Sequence, residues 1–169
     1  LIHNAIQRHI LHNNNDNKEE SSQPTTTKKH KNNKNLKVLD AGCGLGSALM
    51  WMEQHEPTWE LEGRTLSEEQ ANFMTHQLPP HNFQVILDSY DNLPQRFRYD
   101  AIYSIEAMIH STNLKNTLQA WSYHLDKSHG ILVVIDDFLQ PNVNKDDHDV
   151  DLFAKSWLAN SLTTVADLE

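Results

Sequence analysis

The sequence lacks several features that would place it in a specialised class of protein. One cysteine in 169 residues excludes an intrachain disulfide framework, and five glycines exclude a collagen-like chain. No segment approaches the roughly 20 apolar residues that cross a bilayer, and no signal-peptide pattern opens the chain. The chain is long enough to bury a core, and 38% of its residues are hydrophobic. We therefore expect a cytoplasmic globular protein, and the absence of an initial methionine predicts a piece of a longer one.

Charge is distributed unevenly along the chain, although the net charge of the whole is -9. Residues 1–37 carry seven basic and three acidic side chains, a net +4, whereas residues 38–169 carry seven basic and twenty acidic ones, a net -13. An acidic body of that size repels phosphate backbones. We therefore do not expect nucleic acid as a partner.

Composition divides the chain into three segments. In residues 1–11, Ile2, Ile6 and Ile10 recur at the spacing that places side chains on one face of a helix, which predicts an amphipathic helix. Residues 12–35 consist mostly of Asn, Lys, Ser, Thr and Glu, which predicts a flexible linker. Basic tracts can also bind RNA or acidic lipid, but these lysines lack interleaved aromatic residues. Residues 36–169 form the body of the protein.

Strand and helix patterns alternate through this body. They predict strands at 36–40, 59–64, 83–87, 99–104 and 131–135, and helices at 47–55, 67–77, 114–125 and around 152–157. Residues 142–149 read as a loop, and residues 163–169 predict the start of another helix, with Thr163 or Thr164 as its cap. Strands separated by helices of this length require a mostly parallel sheet with helices on both faces, which is an α/β fold.

A glycine-rich loop follows the first predicted strand. Gly42, Gly44 and Gly46 stand at alternate positions directly after Asp40 and Ala41. Open parallel sheets bind ligands at the carboxyl ends of their strands; glycines there let the backbone approach a ligand, and the next helix offers free N–H groups. The spacing G-x-G-x-G differs from the G-x-G-x-x-G of dinucleotide sites. The Asp40 carboxylate suits a cationic group such as an amine, directly or through water, rather than a phosphate.

The loop D-A-G-C-G-L-G at residues 40–46 resembles the first motif of class I S-adenosylmethionine-dependent methyltransferases. The resemblance implies a Rossmann-like, doubly wound, mostly parallel sheet of strand order 3-2-1-4-5. It implies S-adenosylmethionine as cofactor and S-adenosylhomocysteine as product, bound in part by Asp40, Ala41 and the three glycines. Such domains normally have two further strands, so we expect a C-terminally truncated methyltransferase domain over residues 36–169. The apolar fifth strand would then lie at an exposed edge.

The end of the second strand departs from the common class I pattern. Most members have an acidic residue here for the ribose hydroxyls, whereas this chain has Arg64 and Thr65. The pattern T-L-S-x-x-Q at 65–70 resembles the segment of cyclopropane-fatty-acid synthase-like methyltransferases, where hydroxyl and amide side chains take over part of that contact. This implies Thr65, Leu66, Ser67 and Gln70 as cofactor-binding residues. The alternative for Ser67 is a helix N-cap, with Gln70 closing a capping box, and the two roles are compatible.

Two later strand ends supply further candidates for cofactor binding. The resemblance assigns Asp88 to the position where class I enzymes often accept the adenine amino group, with Ser89 beside the ring. The alternative is a solvated turn, which Asp-Ser commonly forms. Ser104 and Ile105, at the end of the fourth strand, are candidate cofactor contacts as well.

The pattern E-A-x-x-H at residues 106–110 resembles the corresponding segment of sterol and related small-molecule C-methyltransferases. Cyclopropane synthases share the histidine but usually place the glutamate directly before it, where this chain has Ile109. Methyl transfer needs a base only if the nucleophile is protonated or a carbocation must lose a proton. His110 is the candidate for that base near neutral pH, and Glu106 is the candidate to bind or stabilise a cationic centre. The alternatives are a surface histidine, since the chain has eleven, and a glutamate that caps the next helix.

The sequence therefore predicts an S-adenosylmethionine-dependent methyltransferase that acts on a small molecule by in-line displacement, with lipids and isoprenoids among the candidate acceptors. Two other classes remain open. One is a catalytically inert interaction module of this fold, and the other is a nucleotide-dependent oxidoreductase. Asp136 and Asp137 lack a third ligand at suitable spacing, so no metal site is expected. Cys43 is expected to be a small packing residue rather than a nucleophile.

Overall fold

The computed structural model describes residues 1–16, 35–95 and 97–168. The segment predicted as a flexible linker, 12–35, lies for the most part outside these residues. Within them, the chain forms five strands: β1 Lys37–Ala41, β2 Glu60–Thr65, β3 Gln84–Leu87, β4 Ala101–Ile105 and β5 Ile131–Ile135. The strands make one sheet of order β3-β2-β1-β4-β5, and every neighbouring pair is parallel. The predicted Rossmann-like fold and its strand order are confirmed.

Five α-helices connect or flank the strands: α1 Ile2–Asp16, α2 Ser47–His55, α3 Glu68–His76, α4 Leu114–His124 and α5 His148–Trp157. The prediction for α2 was correct at both ends, and so was that for β5. Helix α1 continues five residues beyond its predicted end at residue 11, because each residue added to an existing helix gains a backbone hydrogen bond for little further cost. Short 3-10 turns lie at Met108–His110 and Val165–Leu168.

The predicted helix at 163–169 is wrong in type, since the described residues there form only the second of these 3-10 turns. Thr164 nevertheless caps it. The Oγ1 atom of Thr164 accepts the N–H of Asp167 at 3.2 Å, and the Asp167 carboxylate accepts the N–H of Thr164 at 3.2 Å. This reciprocal pair satisfies the first turn of the segment.

The core consists of two layers, one on each face of the sheet. Because side chains alternate along a strand, Val38 of β1 belongs to one layer and Leu39 to the other. Helices α1, α2 and α3 cover the first layer with Ile6, Leu49 and Met74, all 0% exposed. Helix α4 covers the second with Trp121, which is buried in one cluster with Tyr99, Ile102 and Met108.

Helix α1 packs its isoleucines into the first layer, beside the edge strand β5. Ile2, Ile6 and Ile10 are buried in the same cluster that Ile131, Val133 and Ile135 of β5 pack against. Leu132 and Val134 pack against the second layer, so each residue of β5 is half-buried, although β5 is the last strand of the described sheet.

All five strands are parallel, so they end at one common edge, which we call the carboxyl edge. The glycine loop and the exits of β2, β3, β4 and β5 meet there. The switch point of an open α/β sheet lies between β1 and β4, where the strand order reverses. In the part of the chain that the structure describes, no helix is both long and apolar enough to cross a membrane.

Candidate functional site

The glycine loop at residues 42–46 turns sharply between β1 and α2. All three of its glycines adopt a positive φ, +98° at Gly42, +54° at Gly44 and +79° at Gly46, a region that other residues enter only with strain. The carbonyl of Arg64 accepts the N–H groups of Gly42 and Cys43, at 3.1 and 2.9 Å. The loop is thus anchored to the end of β2.

The three glycines differ in what surrounds them. A Cβ atom at Gly42 would lie 2.3 Å from that of Ala107, and one at Gly46 would lie 2.7 Å from the sulfur of Met74. A Cβ atom at Gly44 would meet nothing within 4 Å. Gly42 and Gly46 therefore serve the packing of the loop, whereas Gly44 leaves the backbone open to a ligand. Helix α2 starts beside it with Gly46 as N-cap and no side-chain cap.

Asp40 lies beneath this loop and is 2% exposed. Its Oδ2 atom accepts a 2.8 Å hydrogen bond from the phenol of Tyr103 on β4. Burial raises the pKa of Asp40 to about 7, and the hydrogen bond from Tyr103 opposes part of that rise. Burial, together with the nearby Asp40, also raises the pKa of Cys43 to about 12. Cys43 is thus a protonated packing residue rather than a nucleophile.

Three of the residues predicted around the ribose form one hydrogen-bond network at the end of β2. The hydroxyl of Thr65 donates to Gln70 Oε1 at 2.6 Å and accepts the N–H of Ser67 at 3.1 Å. Ser67 Oγ accepts the N–H of Gln70 at 3.2 Å, so Ser67 is the N-cap of α3. Thr65, not Gln70, satisfies the N–H of Ser67, and the Gln70 side chain turns toward the carboxyl edge. Leu66 is 74% exposed.

Arg64 points to the opposite face of the sheet from Thr65 and is 2% exposed. Its Nε atom donates to Glu62 Oε1 at 2.8 Å, and its Nη1 atom donates to the carbonyls of Ser89 and Asn92 at 3.3 and 3.0 Å. Glu62 also accepts the phenol of Tyr99 at 2.9 Å. The basic residue that stands near the usual acidic position is therefore a buried support of the loop after β3.

That loop, residues 88–92, is called the β3 loop below. Asp88 Oδ1 accepts the N–H of Ser89 at 2.7 Å and the amide of Asn92 at 3.0 Å. These bonds, and to a lesser extent the charge of Arg64, hold the pKa of Asp88 below its usual value. The side chain of Asp88 is 43% exposed, so a ligand can reach its carboxylate.

The exit of β4 carries the remaining candidates. Ser104 is 0% exposed, and its hydroxyl has no hydrogen-bond partner among the residues that the structure describes. Ile105 is half-buried, and Glu106 is exposed with a left-handed φ of +49°. The N-cap of the 3-10 turn Met108–His110 is Ala107, so Glu106 does not cap it.

His110 is exposed and its ring is oriented by the backbone after α5. The Nδ1 atom lies 3.1 Å from the carbonyl of Leu158. A carbonyl can only accept, so Nδ1 carries a hydrogen and the lone pair of the neutral ring is on Nε2. The N–H of Ile109 donates to Asp136 Oδ2 at 3.1 Å, which ties this turn to the exit of β5.

Two clefts open beside the exit of β5. One, of about 330 Å³, lies between that exit and α5 and is lined by Asp137, Phe138, Leu139, Asp149, Val150, Phe153 and Leu162. The other, of about 250 Å³, lies between α1 and α2 and is lined by Leu1, Ile2, His3, Ala48, Trp51, Met52 and Ile135. Both are predominantly apolar. The described residues include no group of three or more His, Cys, Asp or Glu side chains that could hold a metal ion.

The structure brings the sequence-predicted residues to one edge of the sheet, but as several local networks rather than one. Sequence reasoning missed Tyr103 as the partner of Asp40. It also missed the buried role of Arg64 and the anchor at Tyr90, whose phenol donates to the carbonyl of Ala107 at 3.1 Å. Their partners are distant in sequence, so no local pattern signals them.

Comparisons with known proteins identify the family. A family model described as a methyltransferase domain matches residues 38–128, more than half of the chain. A protein of Galdieria sulphuraria assigned as a sarcosine dimethylglycine methyltransferase has a similar structure, with a TM-score of 0.67 and 17% identity over 79% of this chain and 51% of its own. The plantazolicin methyltransferase BpumL, solved with S-adenosylhomocysteine, has a TM-score of 0.61 and 20% identity over 79% of this chain and 52% of its own.

A third similar structure is the O-methyltransferase of a trans-AT polyketide synthase multienzyme of Brevibacillus brevis, also solved with S-adenosylhomocysteine. It has a TM-score of 0.62 and 23% identity, over 79% of this chain and 43% of its own. The chain thus spans about half the length of these structures. A comparison with curated proteins found no match. The family match covers the glycine loop and the first four strands, and on that ground the chain belongs to the methyltransferase-domain family.

Proposed function

We propose that this chain binds S-adenosylmethionine at the carboxyl edge of its sheet and that the protein transfers the methyl group to a small-molecule acceptor. The observation that carries the proposal is the open backbone at Gly44, in a loop whose other two glycines are packed against protein. Two structures similar to this chain were solved with S-adenosylhomocysteine. Family membership supports the same conclusion.

The residues present suit this cofactor. Gly44 leaves space where a Cβ would otherwise stand, and the start of α2 offers N–H groups beside it. The hydroxyl of Ser104, for which the described residues offer no hydrogen-bond partner, lies at the exit of β4. When bound, S-adenosylmethionine supplies an electrophilic methyl group on a sulfonium, which a nucleophile displaces in line. The protein's task is then alignment and exclusion of water.

Each part of the cofactor has candidate partners in this chain. Asp40, buried beneath the loop, would attract the amino group through the loop or water, and Thr65 and Gln70 would bind the ribose hydroxyls with the polar atoms at the end of β2. Leu66 would cover the base with its exposed side chain. Asp88 would accept the adenine amino group. Ala41, Ser67, Ser89, Ser104 and Ile105 complete the set of candidate cofactor contacts.

His110 and Glu106 are the candidates on the acceptor side. The Nε2 lone pair of His110 can take the proton that the acceptor loses as its new bond to the methyl carbon forms. Glu106, exposed on the same segment, can stabilise a positive charge that develops on the acceptor. The apolar clefts beside β5 suit a small molecule with an apolar part, and the carboxylates of Glu106 and Asp137 disfavour an anionic one.

Calorimetric titration with S-adenosylmethionine and S-adenosylhomocysteine tests the cofactor, with NAD as the competing ligand class. We expect micromolar binding of the first two and no binding of NAD; binding of neither adenosyl compound would contradict the proposal. Release of S-adenosylhomocysteine in the presence of amine, hydroxyl and carbon acceptors then tests transfer. Binding without transfer to any acceptor class would favour the inert interaction module.

A further inference from the structure

Arg64 supports the β3 loop from below with hydrogen bonds to its main chain. The guanidinium reaches the carbonyls of Ser89 and Asn92, at opposite ends of the loop turn, from a position that is 2% exposed. Burial of a cation is costly unless its donors are satisfied. Here the carboxylate of Glu62 compensates the positive charge of Arg64, and the two loop carbonyls accept hydrogen bonds from Nη1. The loop path is consequently tied to a rigid, planar group.

Two further hydrogen bonds hold the β3 loop. The indole N–H of Trp121 donates to the carbonyl of Tyr90 at 3.2 Å, and the Tyr90 phenol donates to the carbonyl of Ala107. The loop therefore lies between a buried support at β2 and the exit of β4. The side chain of Arg64 also approaches a carboxylate of this loop: its Nη1 atom lies 3.6 Å from Oδ2 of Asp88.

Arg64 and Thr65 are consecutive in a strand and so face opposite sides of the sheet. Thr65 turns to α3 and its network with Gln70, and Arg64 turns to the β3 loop. Two consecutive residues at the end of β2 thus contact different parts of the protein. Thr65 belongs to the ribose side of the proposed site, and Arg64 supports the base side.

We infer that Arg64 is a positioning residue for adenine recognition: by holding the carbonyls of Ser89 and Asn92, it aims the Asp88 carboxylate at the 6-amino group of the cofactor. The inference rests on the proposed function, because it presumes that an adenosyl compound binds at this edge. Arg64 itself does not touch the cofactor. Its effect is therefore expected in the discrimination between bases and not only in overall affinity.

The test compares S-adenosylhomocysteine with S-inosylhomocysteine, in which a carbonyl replaces the 6-amino group. A carboxylate that accepts from the amino group is left facing an acceptor when the base is hypoxanthine, so we expect the native protein to bind the inosyl compound at least about tenfold more weakly. In Arg64→Lys the positive charge beside Glu62 remains but the planar fork is lost. The ratio of the two dissociation constants should then fall to about threefold or less.

Glu62→Gln is the matched control. It disturbs the same buried network but leaves the hydrogen bonds from Arg64 to Ser89 and Asn92 in place, so the melting temperature should fall while the ratio stays at its native value. If Arg64→Lys does not fold, Arg64→Gln combined with Glu62→Gln removes the buried charges together and is measured in its place.

The outcomes separate the two proposals. A native protein that binds neither compound would contradict the proposed function and this inference with it. Binding of S-adenosylhomocysteine with no preference over the inosyl compound would overturn the inference and the assignment of Asp88 to the adenine amino group, but would leave the proposed cofactor and methyl transfer standing. A variant that loses affinity for both compounds equally would overturn the inference alone, since that is the result expected of a purely structural residue.

Discussion

The phenol of Tyr103 donates a 2.8 Å hydrogen bond to the carboxylate of Asp40, and both side chains are buried beneath the glycine loop. Burial raises the pKa of Asp40 to about 7. Because this value lies above the unfolded one of about 3.9, the folded protein binds the proton more tightly than the unfolded chain. The contribution to stability is therefore full below about pH 4 and is lost as the pH rises through 7.

Asp40→Asn should remove this pH dependence, because the amide keeps an acceptor for Tyr103 and cannot ionise. The native protein loses this contribution as the pH rises and the variant does not. The free energy of unfolding of the variant minus that of the native protein should therefore increase by roughly 2 to 4 kcal/mol between pH 4.5 and pH 8. Urea denaturation at several pH values measures the slope. The exposed Asp91→Asn is the control and should follow the native curve. Parallel curves for Asp40→Asn and the native protein would contradict the assignment.

Gly44→Ala should weaken cofactor binding without a matching loss of stability. The new methyl group meets no protein atom within 4 Å but occupies the space proposed for the cofactor. We expect the affinity for S-adenosylhomocysteine to fall at least about tenfold, whereas the left-handed φ of +54° costs about 1 to 2 kcal/mol of stability. Calorimetry and thermal unfolding measure the two effects.

Asn142→Ala is the matched control for backbone strain, since Asn142 has a similar φ of +75° in the loop before α5. It should lose comparable stability and keep the native affinity. An affinity loss equal in the two variants would mean that strain, and not occupation of the Gly44 space, explains the effect.

His110→Asn tests the proposed base. The asparagine amide can still donate to the carbonyl of Leu158, but the lone pair of Nε2 is gone. With an acceptor that must lose a proton, we expect the single-turnover rate to fall by about 10² to 10⁴ and the affinity for S-adenosylhomocysteine to remain. His148→Asn, at an exposed histidine of α5, should change neither quantity. An unchanged rate in His110→Asn would remove the histidine from the mechanism.

The sequence predicted those parts of the fold that depend on local pattern. The strand β5 and the helix α2 can be recognised from residues that are adjacent in sequence, and the predicted bounds of both were correct. Arg64 shows where such reasoning stops. Its partners Ser89 and Asn92 lie 25 and 28 residues away, and only the parallel pairing of β2 with β3 brings them together. The Asp40–Tyr103 pair, 63 residues apart, depends on the pairing of β1 with β4 in the same way.

Helix α1 gives the last prediction. Its early residues line the cleft beside the glycine-loop helix, and Glu56 just after α2 accepts hydrogen bonds from His3 at 2.7 Å and Gln7 at 2.5 Å. Deletion of residues 1–11 would remove Ile6 and its buried neighbours from the core, so a point variant is the sharper test of whether α1 helps to close the proposed cofactor site.

Glu56→Ala should loosen the start of α1 and leave its isoleucines in place. We expect a loss of about 1 to 2 kcal/mol in stability and faster amide exchange in the first turns of α1. If α1 helps to close the proposed cofactor site, the affinity for S-adenosylhomocysteine falls as well. Gln54→Ala, at an exposed residue of α2, is the control. Faster exchange in α1 with unchanged affinity would show that the helix supports the core of the domain and takes no part in covering the cofactor.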